Sequence, residues 1–132
     1  MADVEVRLTL QGGESGGGVH CYESGSTVRG MVRLVTTGEV RCDRVFVSIG
    51  WHTEGRSDRD CAQVGEVELH RGRLDANTYL TPSFSFRLPD HPWSYAGHYI
   101  NIIWEVTVTV AVPFGRDIKR TEPIVVSARR PA

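Results

Sequence analysis

The stretch SFSFRLPDHPWSYAGHYINIIWEVTVTVAVP, Ser83 to Pro113, decides the fold of this chain. From Ile100 to Val112 every even position carries an apolar side chain, whereas the odd positions are mostly polar or small. A period of two is typical of a β-strand with one buried and one wetter face. The pattern therefore predicts one long strand, which would span roughly 40 Å at about 3.3 Å per residue.

A shorter alternation precedes the long strand. Its apolar positions are Phe84, Phe86 and Leu88. Pro89 and Pro92 follow, and because proline lacks a backbone N–H donor they predict the end of this short strand. The segment from Pro89 to Gly97 is therefore interpreted as a corner between two strands, with Trp93 and Tyr95 as its anchors.

The same alternation recurs along the rest of the chain, with glycine-rich turns between its occurrences. Its apolar positions are Val4, Val6, Leu8 and Leu10; Val28, Gly30, Val32 and Leu34; Val45, Val47, Ile49 and Trp51; and Val67 and Leu69. A weaker last strand runs through Ile118 and is broken by Pro123, which fits an edge position. The glycine-rich segment from Gln11 to Ser26 is interpreted as a flexible connection. No window has the period of an amphipathic helix, so six or seven strands predict an all-β sandwich or barrel.

Length and charge narrow the class of protein. The 132 residues are interpreted as one domain, residues 1–132. The formal net charge is −1 and the arginines are scattered over several strands, so the sequence shows no electrostatic footprint for nucleic acid. An odd number of cysteines, three, and the lack of an apolar run of signal-peptide or membrane length predict a reduced, cytoplasmic setting without a transmembrane segment.

Three blocks of the sequence resemble the amino-terminal half of an arrestin. In YESGSTVRGMVRL, residues 22–34, an aromatic residue and a turn ending in glycine lead into the strand pattern V-x-G-x-V. FSFRLPDHPWSYAGHYINIIWEVTVTV, residues 84–110, is similar to the family's F-x-F-x-L-P and P-x-S-aromatic-x-G motifs followed by a long strand. VSIGWHTEGRSDRD, residues 47–60, resembles bacterial members in its W-x-T-x-G turn.

The resemblance implies an immunoglobulin-like, two-sheet antiparallel sandwich that acts as an adaptor and not as a catalyst. The chain has room for only one sandwich, so the two-domain arrangement and the charged inter-domain latch of full arrestins are not expected within it. Receptor and clathrin recognition are therefore not carried over. We expect a bacterial or otherwise minimal single-domain relative.

One motif matches a hydrolase signature. GESGG, Gly13 to Gly17, fits the nucleophile-elbow pattern G-x-S-x-G with Ser15 as the nucleophile. That chemistry requires a strained turn from a strand into a helix. Because no helix is predicted after Ser15, a loop is the favoured interpretation, and no catalytic residue is predicted.

Several side chains could bind a metal ion. The candidate zinc ligands are His20, Cys21, Cys42, His52, Cys61, His70, His91 and His98. Structural zinc sites usually contain closely spaced pairs such as C-x-x-C, and this sequence has none. Glu54, Asp58 and Asp60 do not match the spacing of a calcium loop and indicate a solvated hairpin tip. We therefore predict neither a metal site nor a cofactor.

The residues predicted to contact a partner are Trp93, Tyr95, His91 and Phe114. Aromatic residues on loops are common anchors of interfaces. The alternative for Trp93 is that it folds back and plugs the end of the sandwich. Trp51 and Trp104 lie on apolar strand faces and are predicted to be core. The edge near Pro123 could pair with an extended partner or a second copy of the chain, although Pro123 blocks part of that edge.

Two functions of different classes remain open. The favoured one is a non-catalytic protein-interaction or adaptor module that acts through loops and sheet edges on an unidentified protein. The alternative is a ligand- or metal-dependent sensor or enzyme that uses the histidines and the acidic loop residues. An exposed apolar patch or an open edge would favour the module, whereas a convergent polar pocket would favour the alternative.

Overall fold

The computed structural model describes residues 4–12, 14–16, 19–55, 60–97, 100–113 and 115–128, with the backbone alone for 14–16. Within these ranges the chain forms eleven β-strands and no helix. The strands are β1 (Val4–Gln11), β2 (Glu14–Gly16), β3 (Val19–Glu23), β4 (Thr27–Thr36), β5 (Arg44–Gly55), β6 (Cys61–Arg71), β7 (Tyr79–Leu80), β8 (Ser83–Arg87), β9 (Tyr95–Ala96), β10 (Ile100–Ala111) and β11 (Ile118–Ser127).

The strands form two sheets. In sheet A the order is β1-β4-β7, and β8 also pairs with β4. In sheet B the order is β2-β3-β11-β10-β5-β6, and β9 pairs with β10. The pairings are antiparallel except for β3 with β11, which is parallel. The chain is therefore the all-β sandwich that the alternations predict.

The core lies between the inward faces of the two sheets. It contains the apolar positions of β1, β4, β5, β8 and β10, including Val6, Val32, Val47, Phe84 and Trp104. Trp104 is fully buried, as predicted. Trp51 is half-buried and packs against the cluster from its margin. The period of two in the sequence therefore selects the correct face of each main strand.

The longest predicted strand is central to sheet B. β10 pairs with β5 along its whole length, from Ile100 opposite Gly55 to Ala111 opposite Arg44. On its other side it pairs with β11 and then with β9. Two neighbours leave few of its backbone groups without a ladder partner, which explains why a long alternating run is stable here.

The corner carries the chain from sheet A to sheet B, as predicted. Leu88, just after β8, donates its N–H to the carbonyl of Ser26 at 2.8 Å. Ser94 donates its N–H to the carbonyl of Val126 in sheet B, also at 2.8 Å. Pro89 to Trp93 therefore bridge the two layers at one end of the sandwich.

Two sequence predictions are wrong. The segment from Gln11 to Ser26 contains β2 and β3, because β3 finds hydrogen-bond partners in β11, about a hundred residues away along the chain. The last strand is continuous from Ile118 to Ser127, and Pro123 lies within it, opposite Glu105 of β10. On its other side β11 pairs with β3 only from Ile124 onward, so at Pro123 that side of the strand has no ladder partner. Proline, which lacks a backbone N–H, is therefore tolerated at this position.

The three cysteines differ in exposure, and this predicts an order of alkylation. Cys42 is buried and donates its thiol to the carbonyl of Gly72 at 3.0 Å, whereas Cys61 is exposed. Burial, with a contribution from the Asp43 carboxylate, raises the pKa of the Cys42 thiol. Since the thiolate is the nucleophile, iodoacetamide at mildly alkaline pH is expected to label Cys61 many times faster than Cys42. Peptide mass spectrometry over time measures both rates, and equal rates in the folded chain would contradict the prediction.

Candidate functional site

The corner adjoins a groove in sheet B, which forms where two paired strands separate. β10 and β11 pair up to Trp104 opposite Ile124. Beyond that point β11 pairs with β3, while β10 pairs with β9. The opening between them, called here the corner groove, has a volume of about 500 Å³. It is lined by Val19, Ser94, Tyr95, Ala96, Asn101, Ile102, Ile103, Pro123, Ile124 and Val125.

Hydrogen bonds hold the walls of the corner groove in place. The Ser94 N–H donates to the Val126 carbonyl, and the Val126 N–H donates to Ser94 Oγ, both at 2.8 Å. Tyr95 pairs with Ile102 across β9 and β10. The Gly97 N–H donates to Asn101 Oδ1 at 3.2 Å. The corner is therefore fastened to both strands that border the groove.

The tryptophans at this end of the sandwich have different roles. Trp104 is fully buried, and its Nε1 donates to the carbonyl of Pro92 at 3.1 Å. Trp93 is 48% exposed, and its Nε1 donates to the carbonyl of Asp90 at 2.7 Å. Trp104 therefore fills the end of the core beneath the corner, and Trp93 keeps half of its surface available to solvent.

The corner groove is apolar and its lining contains no charged side chain. Of the five large hydrophobic side chains that are exposed in the described part of the chain, Trp93 and Tyr95, the latter at 56%, lie on the corner, and Val125, at 39%, lies on the facing wall of the groove. The polar groups of the lining are the Ser94 and Tyr95 hydroxyls and the Asn101 amide. This chemistry suits an uncharged, largely apolar binding segment.

The structure brings together only some of the residues predicted to contact a partner. Tyr95 lines the corner groove, whereas Trp93 and His91 are exposed on the same corner but outside the lining. Phe114 lies outside the described residues. The adjacent Pro113 lies two residues beyond Ala111, at the end of β10 opposite the corner.

Sequence reasoning missed the opposite wall of the corner groove. Val19, Pro123 and Val125 belong to β3 and β11, far from the corner in sequence. Val125 could have indicated this wall. It is an apolar residue on the outward face of β11, the face that also carries the exposed Pro123 and Ser127. An apolar side chain on an outward-facing strand position can mark a surface that is covered in a complex.

A polar cluster on sheet B is the candidate for the enzyme or sensor alternative. His52 Nδ1 lies 2.8 Å from Glu105 Oε1, and His52 Nε2 lies 3.1 Å from Glu54 Oε1. Cys61 is the register partner of His52 on β6. Both ring nitrogens already contact carboxylates, so neither is directed at the Cys61 thiol as a general base would be.

The other catalytic and metal candidates do not converge. Ser15 lies in β2, opposite His20 of β3, and a strand follows it where a nucleophile elbow would need a helix. His20 Nδ1 contacts the carbonyl of Gly12, and His70 Nε2 contacts that of Arg73. Across the described ranges, no three His, Cys, Asp or Glu residues are placed to hold a metal ion. Asp58 and His98 lie outside those ranges.

Comparison with known proteins gives the fold but no family. No protein-family model matches the chain, and no curated protein matches it. Among solved structures, it is similar to Spo0M, a sporulation control protein from Bacillus subtilis, with a TM-score of 0.74 and 15% sequence identity. The superposition covers 98% of this chain and 51% of Spo0M, so the chain spans about half the length of that protein. The likeness supports the arrestin-like fold that the three sequence blocks predict. No helix in the described part of the chain is long and apolar enough to span a membrane.

Proposed function

We propose that this chain is a non-catalytic protein-interaction module of the adaptor type, which acts in the cytoplasm and binds a partner protein at the corner groove. The observation that carries the proposal is an uncharged groove whose lining includes the exposed Tyr95 and Val125, beside a corner that also exposes Trp93. Tryptophan and tyrosine are enriched among the residues that dominate binding energy in protein interfaces. The arrestin-like fold is compatible with this role but does not by itself assign it.

The form of the groove favours a protein segment over a small charged ligand. With no charged side chain in its lining, the groove has no group to compensate the cost of desolvating a charged ligand. Its hydroxyl and amide groups can hydrogen-bond to a peptide backbone or to neutral polar side chains. An apolar side chain of the partner would enter between Tyr95 and Val125, and the exposed Trp93 on the same corner would offer a second apolar contact.

Alanine substitutions at the corner test this function. Trp93→Ala and Tyr95→Ala are each expected to weaken capture of a partner from the source cell's lysate by about tenfold, because truncating an aromatic anchor removes its buried contact area. Tyr79→Ala is the matched control, since Tyr79 is a 61% exposed aromatic residue outside the groove. Quantitative mass spectrometry of the captured proteins compares the variants after circular dichroism has shown that each is folded.

The outcomes separate the module from the alternative. A partner that is lost with both corner variants and kept with Tyr79→Ala supports the proposed site. A partner kept by all variants would place the interface elsewhere. If the wild-type chain captures nothing, and a divalent metal ion raises its melting temperature unless His52 is replaced, the sensor alternative should be adopted.

A further inference from the structure

The arginines that are scattered in the sequence lie together on one surface of the fold. The outer surface of sheet A, called here the arginine face, carries Arg7 of β1, Arg29 and Arg33 of β4, and Arg87 of β8, all exposed. Register explains the grouping, because Arg7 is directly opposite Arg33, and Ser85 of β8 is opposite Arg29. The alternating strands bury their valines and phenylalanines, so these arginines must point outward.

The fold neutralises little of this charge. Glu5 forms an ion pair with Arg7 at 2.8 Å, and Arg33 lies over the ring of Tyr79 at 5.4 Å. Within the described part of the chain, no carboxylate lies within ion-pair distance of Arg29, Arg33 or Arg87. Like charges directly opposite each other on a sheet, such as Arg7 and Arg33, destabilise it. The arginine face therefore carries positive charge that does not serve the stability of the sandwich.

The outer surface of sheet B lacks such an excess of positive charge. Its acidic residues are Glu54, Glu66, Glu68 and Glu105. Most of its basic groups are already paired with these carboxylates, Arg44 with Glu66 and Arg71 with Glu68, both at 3.1 Å, and Lys119 is the exception. The net charge of −1 therefore conceals a separation of charge between the two faces. The two outer surfaces face opposite directions into solvent, where salt screens exposed charges beyond about 8 Å, so a surface that approaches one face responds mainly to the charge of that face.

We propose that the arginine face docks this chain on an anionic lipid membrane surface. The face is one side of a sheet, so its guanidinium groups leave it in a common direction and spread over three strands. Half-buried Met31 lies between Arg29 and Arg33, half-buried Val35 follows Arg33 on the same face, and Tyr79, the register partner of Val35, is exposed at the rim. Guanidinium groups bind phosphate oxygens in a bidentate manner, and tyrosine is typical of the interfacial layer of membranes. Each basic residue held near an anionic leaflet strengthens binding about fivefold, so several unpaired arginines on one face add up to appreciable binding.

Orientation follows from the same distribution of charge. An anionic surface attracts the arginine face more strongly than the outer surface of sheet B, whose acidic and basic groups nearly balance, so the chain would dock with sheet A toward the lipid. The corner groove is formed by strands of sheet B and by the corner, and none of the four arginines lines it. Membrane docking and partner binding therefore use different surfaces, and each can be tested without the other.

Vesicle co-sedimentation tests the proposal with the full chain. Binding is expected to vesicles of phosphatidylcholine and phosphatidylserine in equal parts, but not to phosphatidylcholine alone, and should weaken as salt is added. Arg29→Gln with Arg87→Gln is expected to reduce partitioning by about 25-fold, since each basic residue near an anionic leaflet contributes about fivefold. Arg41→Gln with Arg116→Gln is the matched control, because it removes the same charge from exposed positions outside the arginine face.

Three results would overturn the proposal. The wild-type chain could show no preference for anionic vesicles. Both double variants could lose binding equally, which would indicate a response to net charge and not to this face. Finally, the chain could bind single-stranded nucleic acid or an acidic polypeptide and not vesicles, and the double variant Arg29→Gln with Arg87→Gln could lose that binding. That outcome would assign the surface to a different anionic partner.

Discussion

Replacing Trp104 with alanine is expected to lower the free energy of unfolding by about 4 kcal/mol, the middle of the range for deleting a large buried aromatic side chain. Trp104 is fully buried at the centre of sheet B, with Trp51 and Ile124 as its cross-strand neighbours on either side. β10, β5 and β11 are held in register by their hydrogen-bond ladders. They are therefore not expected to close around the cavity that the missing indole ring would leave. The expected loss is a large fraction of the stability of a typical domain, about 5–15 kcal/mol.

Two variants separate the sources of the Trp104 effect. Trp104→Phe keeps most of the apolar contact but removes the donor to the Pro92 carbonyl, and is expected to cost about 1–3 kcal/mol. Trp93→Ala is the control, because Trp93 is 48% exposed and its truncation is expected to change stability by less than about 1 kcal/mol. Urea unfolding followed by circular dichroism gives all three values. A Trp104→Ala cost no larger than that of Trp93→Ala would disprove the assignment of Trp104 as the core residue beneath the corner.

Adding one methyl group at Gly30 is expected to destabilise the chain by about 3 kcal/mol, at the upper end of the cost of overpacking a core. A Cβ at Gly30 would lie 2.5 Å from Phe84 Cζ and 2.7 Å from the Thr9 carbonyl oxygen. β4 cannot shift to relieve these contacts, because β1 and β8 pair with it on both sides. The glycine of the V-x-G-x-V motif is therefore required by the approach of the Phe84 ring to the backbone.

The cause of the Gly30 effect can be isolated with two further variants. Gly115→Ala introduces the same methyl group where the nearest atom, Val112 Cγ1, lies at an ordinary 3.5 Å, so little loss is expected. Phe84→Leu shortens the side chain that fills the space above Gly30. In the Gly30→Ala background it is expected to restore part of the loss, with a coupling energy of about 1 kcal/mol or more. Additive costs in thermal or urea unfolding would show that Phe84 is not the obstacle.

The sequence predicts the part of this fold that depends on local periodicity. β1, β4, β5, β8 and β10 each bury one face, and a single buried face leaves an alternation that can be seen within a few residues. The corner could be predicted too, since Pro89 and Pro92 cannot continue a ladder. These features need no knowledge of which strands become neighbours.

The features that depend on distant pairing could not be predicted from the sequence. β3 has a glycine-rich approach and no strong alternation, and it is a strand because β11 lies beside it. The second wall of the corner groove is formed by β3 and β11 together. Tyr95 could therefore be predicted as a binding residue from its place in a loop, whereas Val19 and Val125 could not. The arginine face has the same origin, because Arg7 and Arg87 belong to strands that meet only through β4.

The parallel pairing of β3 with β11 has a consequence for the protein during synthesis. One wall of the corner groove contains Pro123 and Val125, which leave the ribosome at least twenty residues after Asn101 and Ile103 of the opposite wall. A nascent chain that ends before β11 lacks both the second wall of the groove and the Val126 backbone groups that fasten the corner. A partner that recognises the groove would therefore distinguish finished molecules from incomplete or carboxy-terminally clipped ones, and binding would report that folding is complete.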